Sequence, residues 1–115
     1  MEQIVENLIA ATKYPSPKRK DWRIGCIGSG FIMADCHLVS YRNAGFNPIA
    51  IASRTPEHAE ACAQRHGIPK VYRTWREMLQ DDSLEILDIA YPPDQQLEIV
   101  QEAVKCKNLR GILCQ

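Results

Sequence analysis

The sequence predicts an α/β domain in which helices cover both faces of a parallel sheet. Short apolar runs that suit buried strands alternate along the chain with segments whose apolar residues recur at helical spacing. The first run, residues 24–27, leads directly into the glycine turn Gly28-Ser29-Gly30. A strand, a glycine turn, a helix and a second strand form the unit from which doubly wound sheets with right-handed crossovers are built.

Local signals place the individual elements. Thr55 is expected to cap a helix that has Pro56 at its first position, and Gly67 to close it. Thr74 and Glu77 form a capping box that opens the next helix. Apolar spacing predicts two further helices, over residues 32–41 and 97–104. The predicted strands cover residues 24–27, 49–52, 68–72, 84–90 and 111–114.

Residues 1–21 precede the first strand. Apolar residues between positions 4 and 9 recur at helical spacing, and they predict a short amphipathic helix that ends before Tyr14. Two prolines and Lys18-Arg19-Lys20 then make a linker. The helix would dock on another part of the protein or on another subunit, or remain an attached arm. Acidic residues near the start argue against a signal peptide, and no apolar run is long enough to span a bilayer.

Composition limits the partners and the compartment. A chain of 115 residues is expected to form one domain. Its 14 basic and 14 acidic residues cancel, and no basic stripe appears, which argues against nucleic acid as a partner. The cysteines form no C-x-x-C pair and the histidines are scattered, so we predict no metal site but buried, reduced thiols in a cytoplasmic protein. The cysteines are Cys26, Cys36, Cys62, Cys106 and Cys114.

The glycine turn predicts a bound dinucleotide. Gly28 permits the tight turn, and Gly30 lets the backbone approach a pyrophosphate at the positive N-terminus of the following helix. Met33 stands where the third glycine or alanine of this fingerprint is usual, so the match is incomplete. The alternative is a tight turn without a ligand, which the flanking strand and helix disfavour. The residues expected around the pyrophosphate are Gly28, Ser29, Gly30, Phe31 and Ile32.

The end of the second strand favours NADP(H) over NAD(H). An acidic residue there would accept hydrogen bonds from the adenosine ribose, but this chain has Ser53 followed by Arg54. A hydroxyl beside a guanidinium can bind a 2′-phosphate, and His58 could add a second donor. The alternative is a solvated arginine beside a small filler residue, with NAD(H) as the cofactor.

Taken together, these motifs resemble the N-terminal domain of the Gfo/Idh/MocA oxidoreductases, the glucose–fructose oxidoreductase and inositol dehydrogenase family. The resemblance covers roughly residues 22 to 115. It rests on the glycine turn with His37 shortly after it, on Ser53-Arg54, on residues 75–79 and on Tyr91-Pro92-Pro93. It implies a Rossmann-type domain over residues 22–115, with the helix and linker of residues 1–21 outside it. His37 is assigned no catalytic role, since a residue two turns into a helix is more often packed than reactive.

The resemblance also implies where the remaining cofactor contacts lie. In this family a Thr-Pro-type turn after the fourth strand lies against the cofactor, which here is Tyr91-Pro92, on the nicotinamide side. Gln96 occupies a position that is usually histidine, and Gln115 occupies the glutamate position of a Glu-Lys-Pro motif. The lysine of that motif is the usual catalytic group and would come next. We therefore expect this chain to be an excerpt of a larger two-domain protein, without a catalytic residue or substrate domain of its own.

The function implied is the NADP(H)-binding domain of an oxidoreductase that transfers a hydride between the nicotinamide and a sugar, polyol or related hydroxyl compound. Further copies of the chain are considered as partners in a homo-oligomer. The alternative is a non-catalytic, NADP(H)-sensing regulator of the same fold, which the glutamines at 96 and 115 favour. Asp88, within the fourth strand, is interpreted as making no more than a strand-end hydrogen bond.

Overall fold

The computed structural model describes residues 1–13 and 15–115. Five parallel strands form one sheet in the order β3-β2-β1-β4-β5, which confirms the predicted doubly wound topology. The strands are β1 Ile24–Ile27, β2 Ala50–Ala52, β3 Lys70–Tyr72, β4 Ile86–Ile89 and β5 Gly111–Cys114. The helices are α1 Glu2–Ala11, α2 Leu38–Asn43, α3 Pro56–His66, α4 Trp75–Met78 and α5 Pro93–Ala103, with a π-helical segment over Ile32–His37.

Two apolar clusters bury the two faces of the sheet. On one face the π-helical segment, α2 and α3 pack through residues such as Met33, Leu38 and Ala59. On the other face α4 and α5 pack through residues such as Met78 and Ile99. Because helices cover both faces, the central strands are apolar along most of their length, as parallel sheets require.

Three strands are shorter than predicted: β2 begins one residue late, at Ala50, and β3 and β4 each begin two residues late, while β4 also ends one residue early, at Ile89. The amide of Ile68 donates to the carbonyl of Ala63 and closes α3, and Pro69 has no N–H to offer, so β3 begins only at Lys70. The amide of Leu84 donates to the carbonyl of Asp81 within a turn, so β4 begins only at Ile86. Strands β3 and β4 were predicted to begin too early because Ile68 and Leu84 are apolar and buried, although neither belongs to a strand.

The helix ends agree with the sequence signals at two of three positions. Gly67 has φ 70° and ends α3 in the left-handed conformation. The hydroxyl of Thr74 accepts a hydrogen bond from the amide of Glu77 at 3.1 Å. The expectation for Thr55 is wrong in one respect: it precedes α3, but its side chain makes no capping hydrogen bond. Its own amide donates instead to the hydroxyl of Ser53.

The helix after the glycine turn begins as a π-helix, which apolar spacing did not indicate. The amide of Leu38 bonds to the carbonyl of Met33, five residues earlier. The carbonyl of Ala34 accepts a hydrogen bond from Nε2 of His66 at 2.7 Å. A side chain of α3 thus enters the hydrogen-bond ladder of this segment, a recognised cause of such irregularities.

The N-terminal helix α1 forms as predicted, and none of its residues is buried. Tyr14, before which the helix was expected to end, lies outside the described residues. Further along the linker, the guanidinium of Arg19 lies 3.7 Å from the ring centroid of Trp22 and binds the carboxylate of Glu85. The linker is therefore fastened to the sheet from Arg19 onwards. No helix in the described part of the chain is both long and apolar enough to span a membrane.

The cysteines differ in their surroundings. Cys26 and Cys62 are buried, as predicted, and burial raises the pKa of both thiols. Cys114 is exposed at the end of β5, which corrects the expectation of uniformly buried thiols. An edge strand leaves part of its surface open, so Cys114 lacks the cover that the central strands have.

Candidate functional site

The glycine turn is held between the ends of β2 and β4. Gly28 has φ +112°, and a Cβ atom built on it would lie 2.2 Å from the carbonyl oxygen of Ala90. Its amide donates to the carbonyl of Ala52 at 2.8 Å. Both the backbone conformation and the close approach therefore require glycine at this position.

Gly30 has a different environment. Its φ is not positive, and a Cβ atom built on it would meet nothing within 4 Å. Neither the conformation nor the packing of the chain requires glycine here. Gly30 faces open space just before the helical segment, whose first amides lack an acceptor within the helix. An anionic group that approaches the backbone closely would fit this position.

A cleft of about 290 Å³ opens beside the turn, at the carboxyl edge of the sheet. Eight of the twelve predicted site residues line it, and the sequence analysis missed two others, Thr55 and Ala90. Ala90 directly follows β4, and Thr55 lies in the loop that follows β2. That placement would have indicated them, since ligands of open α/β sheets bind at the carboxyl ends of strands. The lining residues are Gly28, Ser29, Gly30, Ser53, Arg54, Thr55, His58, Ala90, Tyr91 and Pro92.

The remaining four predicted residues lie around the cleft. Phe31 and Ile32 begin the helical segment with exposed side chains, 68% and 40% accessible. Gln96 and Gln115 are brought together beyond the turn that follows β4. The side-chain nitrogen of Gln96 donates to the carbonyls of both Tyr91 and Gln115.

The Ser53 hydroxyl is engaged within its own loop. It donates to the carbonyl of Thr55 at 2.9 Å and accepts from the amide of Thr55 at 3.1 Å. A hydroxyl has one proton to donate, and this one is already used. Ser53 therefore shapes the loop that carries Arg54, whereas the sequence analysis expected it to donate to a phosphate.

Arg54 and Tyr91 face each other across the cleft. The guanidinium carbon of Arg54 lies 5.8 Å from the centroid of the Tyr91 ring. Burial raises the pKa of the Tyr91 hydroxyl, and the charge of Arg54 opposes this rise. The Tyr91 ring thus faces Arg54, two residues beyond the end of β2, and its place against the nicotinamide stays a prediction. His58 is exposed at the start of α3 and completes this end of the cleft.

A buried polar cluster lies beneath the cleft. The Asp88 side chain is fully buried and accepts hydrogen bonds from His37 and from the hydroxyl of Tyr41. The interpretation of Asp88 as a strand-end hydrogen bonder is therefore wrong, because its carboxylate joins β4 to the helical segment that follows the glycine turn. His37 does not line the cleft.

Most of the chain, residues 22–114, matches a known protein family. The sequence model of an oxidoreductase family with an NAD-binding Rossmann fold, Gfo/Idh/MocA, matches residues 22–114. The chain belongs to the Gfo/Idh/MocA family. The resemblance inferred from the sequence motifs, and the Rossmann-type fold, are confirmed.

Three relatives and neighbours illustrate the degree of similarity, with sequence identities between 20% and 29%. Human trans-1,2-dihydrobenzene-1,2-diol dehydrogenase is 29% identical over 98 residues, which cover 78% of this chain and 29% of the human protein. Levoglucosan dehydrogenase, solved with NADH and L-sorbose, is 27% identical with a TM-score of 0.72, over 84% of this chain and 27% of that one. A 3-ketoreductase from Actinomadura kijaniata, solved with NADP, shares the fold at 20% identity and a TM-score of 0.73, over 81% and 28%. The chain thus spans less than a third of these relatives.

Proposed function

We propose that this chain binds NADP(H) in the cleft, as the cofactor domain of an oxidoreductase that acts on a hydroxyl compound such as a sugar or polyol. The observation that carries the proposal is the open space at Gly30, which no packing among the described residues explains. In this proposal residues 22–115 form the cofactor domain, and residues 1–21 are an appended helix and linker. The bound nicotinamide would supply the hydride chemistry, and the chain would hold and orient it.

The glycine turn and the first amides of the helical segment would hold the pyrophosphate. Gly28 sets the turn, and the missing side chain at Gly30 leaves room for close approach. The amides of Phe31 and Ile32 lie at the start of the helical segment, where backbone N–H groups have no intrahelical acceptor. This arrangement fits an anionic diphosphate without any further basic side chain.

The preference for NADP(H) rests on Arg54. The end of β2 carries no carboxylate to receive the ribose hydroxyls, and Arg54 is exposed at the cleft. Because the Ser53 proton is used within the loop, Arg54 and His58 would be the side chains that contact a 2′-phosphate. Levoglucosan dehydrogenase was solved with NADH and the 3-ketoreductase with NADP, so relatives of this fold use either cofactor. The sugar ligands of the former support a sugar-like substrate.

A parallel titration with NADPH and NADH tests the proposal, followed by calorimetry or by the fluorescence of Trp22 and Trp75. We expect tighter binding of NADPH. Arg54→Ala should weaken NADPH binding by about tenfold or more and leave NADH binding nearly unchanged, because only NADPH offers the charge-assisted contact. Arg110→Ala is the control, since Arg110 is exposed just before β5, at the opposite edge of the sheet. Equal losses for both cofactors would contradict the role of Arg54.

The regulator hypothesis has one structural observation in its favour. Gln96 and Gln115 stand where the family usually has histidine and glutamate, and here the two residues bond to each other. A protein that senses NADP(H) without turnover would retain the cleft and lack the catalytic lysine. The residue that follows Gln115 in a full-length protein distinguishes the two hypotheses, because a lysine there favours the enzyme.

A further inference from the structure

We infer that Gln96 is a positioning residue, which clamps the turn after β4 to the end of β5 and so fixes the nicotinamide half of the cleft. This inference rests on the proposed function and assigns Gln96 a role without direct cofactor contact. It follows from the hydrogen bonds of the side-chain amide and from the place where the β4–β5 pairing ends.

Both N–H groups of the Gln96 side-chain amide donate to groups within the protein. Its nitrogen donates to the carbonyl of Tyr91 at 2.6 Å and to the carbonyl of Gln115. Its oxygen accepts a hydrogen bond from the thiol of Cys114 at 3.1 Å. A side-chain amide has two N–H donors, and both are engaged here, so none is left for a cofactor.

The Gln96 side chain supplies a hydrogen bond where the backbone pairing of β4 and β5 ends. The amide of Gln115 donates to the carbonyl of Ile89 at 2.9 Å, which continues the parallel ladder beyond β5. The next rung would bring the amide of Tyr91 to the carbonyl of Gln115. The chain instead turns away at Tyr91-Pro92, and the Gln96 side chain supplies the hydrogen bond to that carbonyl. Gln96 therefore bridges the point where the two strands separate.

The position of this bridge determines which half of the ligand it affects. The adenosine end of a dinucleotide lies at the end of β2, beside Arg54, so the nicotinamide half extends towards β4 and β5. The glycine turn is fixed independently, because the amide of Gly28 bonds to Ala52. Loss of the clamp would thus loosen the β4–β5 side and leave the pyrophosphate and adenosine contacts in place.

The experiment compares two ligands that differ only in the nicotinamide: NADPH and 2′-phospho-ADP-ribose. Gln96→Glu keeps the size of the side chain but cannot donate to either carbonyl, and Gln96→Met removes the donors without adding charge. We expect both variants to bind NADPH about tenfold more weakly and 2′-phospho-ADP-ribose with unchanged affinity. Gln101→Glu, an exposed position on the same helix, is the control and should change neither affinity.

Each outcome decides the matter. A selective loss of NADPH affinity in both Gln96 variants supports the positioning role. Unchanged NADPH affinity overturns it, and so does an equal loss for both ligands, which would show a general structural role. If the wild-type chain binds neither ligand, the proposed function fails and this inference fails with it, a result already visible before any substitution is made.

Discussion

Asp88 and His37 are joined by a hydrogen bond of 2.9 Å between Oδ2 and Nδ1. A carboxylate can only accept, so the proton lies on Nδ1. The hydroxyl of Tyr41 donates to the same oxygen at 2.5 Å. Burial, reinforced by this hydrogen bond, raises the pKa of Tyr41 far above its usual range. One buried carboxylate thus fastens the helix that follows the glycine turn to the middle of β4.

Asp88→Asn should destabilise the fold by about 2 to 4 kcal/mol, because the neutral amide loses the charge-assisted hydrogen bonds from His37 and Tyr41. Its NH2 group, in the place of Oδ1, would also face the Nδ1–H donor of His37, which lies 3.1 Å from that oxygen. Urea unfolding followed by circular dichroism measures this change. Asp82→Asn is the matched control, since Asp82 is exposed, and we expect it to stay within about 0.5 kcal/mol of the wild type. Equal midpoints for the two variants would show that the buried cluster does not stabilise the fold.

Two glycine substitutions should separate folding from binding. Gly28→Ala places a Cβ atom 2.2 Å from the Ala90 carbonyl at a φ of +112°, so we expect a large loss of stability in urea unfolding. Gly30→Ala meets nothing within 4 Å, so stability should be unchanged while NADPH affinity falls, because the methyl group would occupy space that the pyrophosphate needs. A Gly30→Ala variant that bound NADPH as tightly as the wild type would contradict the placement of the pyrophosphate.

The sequence was sufficient where the determinant is local. The glycine turn, the left-handed Gly67 and the capping contact of Thr74 each depend on a few neighbouring residues, and each was predicted. The parallel sheet followed from the alternation of strands and helices, because parallel strands need crossover connections. These features need no knowledge of distant contacts.

The sequence was insufficient where a side chain finds its partner across the fold. His66 enters the hydrogen-bond ladder at Ala34, 32 residues away, and no local pattern indicates the resulting π-helical segment. Asp88 lies 51 residues from His37, so its buried role became visible only once the sheet had brought the two together. Ser53 is a different case, because its partner is close in sequence. Its hydroxyl donates to the carbonyl of Thr55, two residues away, whereas the motif analysis assigned that hydroxyl to a ligand.

Acid should weaken the fold through Asp81. Burial opposes ionisation of this carboxyl, but hydrogen bonds from Ser83, Tyr72 and Lys70 outweigh it and hold the pKa well below the ordinary 3.8. The hydrogen bond between Tyr72 and Asp81, together with burial, raises the pKa of the Tyr72 hydroxyl to about 12. A folded pKa below the unfolded value contributes stability that is complete above the unfolded pKa and is lost as the pH falls towards the folded one.

The measurement is urea unfolding of the wild type and of Asp81→Asn at about pH 7 and about pH 3. Asp81→Asn should be less stable at neutral pH. The difference between the two proteins should narrow at the acidic pH, because there the Asp81 carboxyl takes up a proton in the unfolded wild-type chain while it stays ionised in the folded one. Asp82 is next in sequence but exposed, so Asp82→Asn should be as stable as the wild type at both pH values. A difference that stays constant with pH would mean that the hydrogen bonds of Asp81 do not favour its ionised form.

Removal of α1 should leave the stability of the sheet unchanged. No residue of Glu2–Ala11 is buried, and within the described part of the linker Arg19 binds the domain through Trp22 and Glu85. A chain that lacks residues 1–13 should therefore unfold in urea within about 0.5 kcal/mol of the full chain. Arg19→Ala in the full chain serves as the comparison, because it removes contacts to Glu85 and to Trp22 and should lower the urea midpoint. A truncated chain that is clearly less stable would show that the apolar face of α1 packs against this domain in solution.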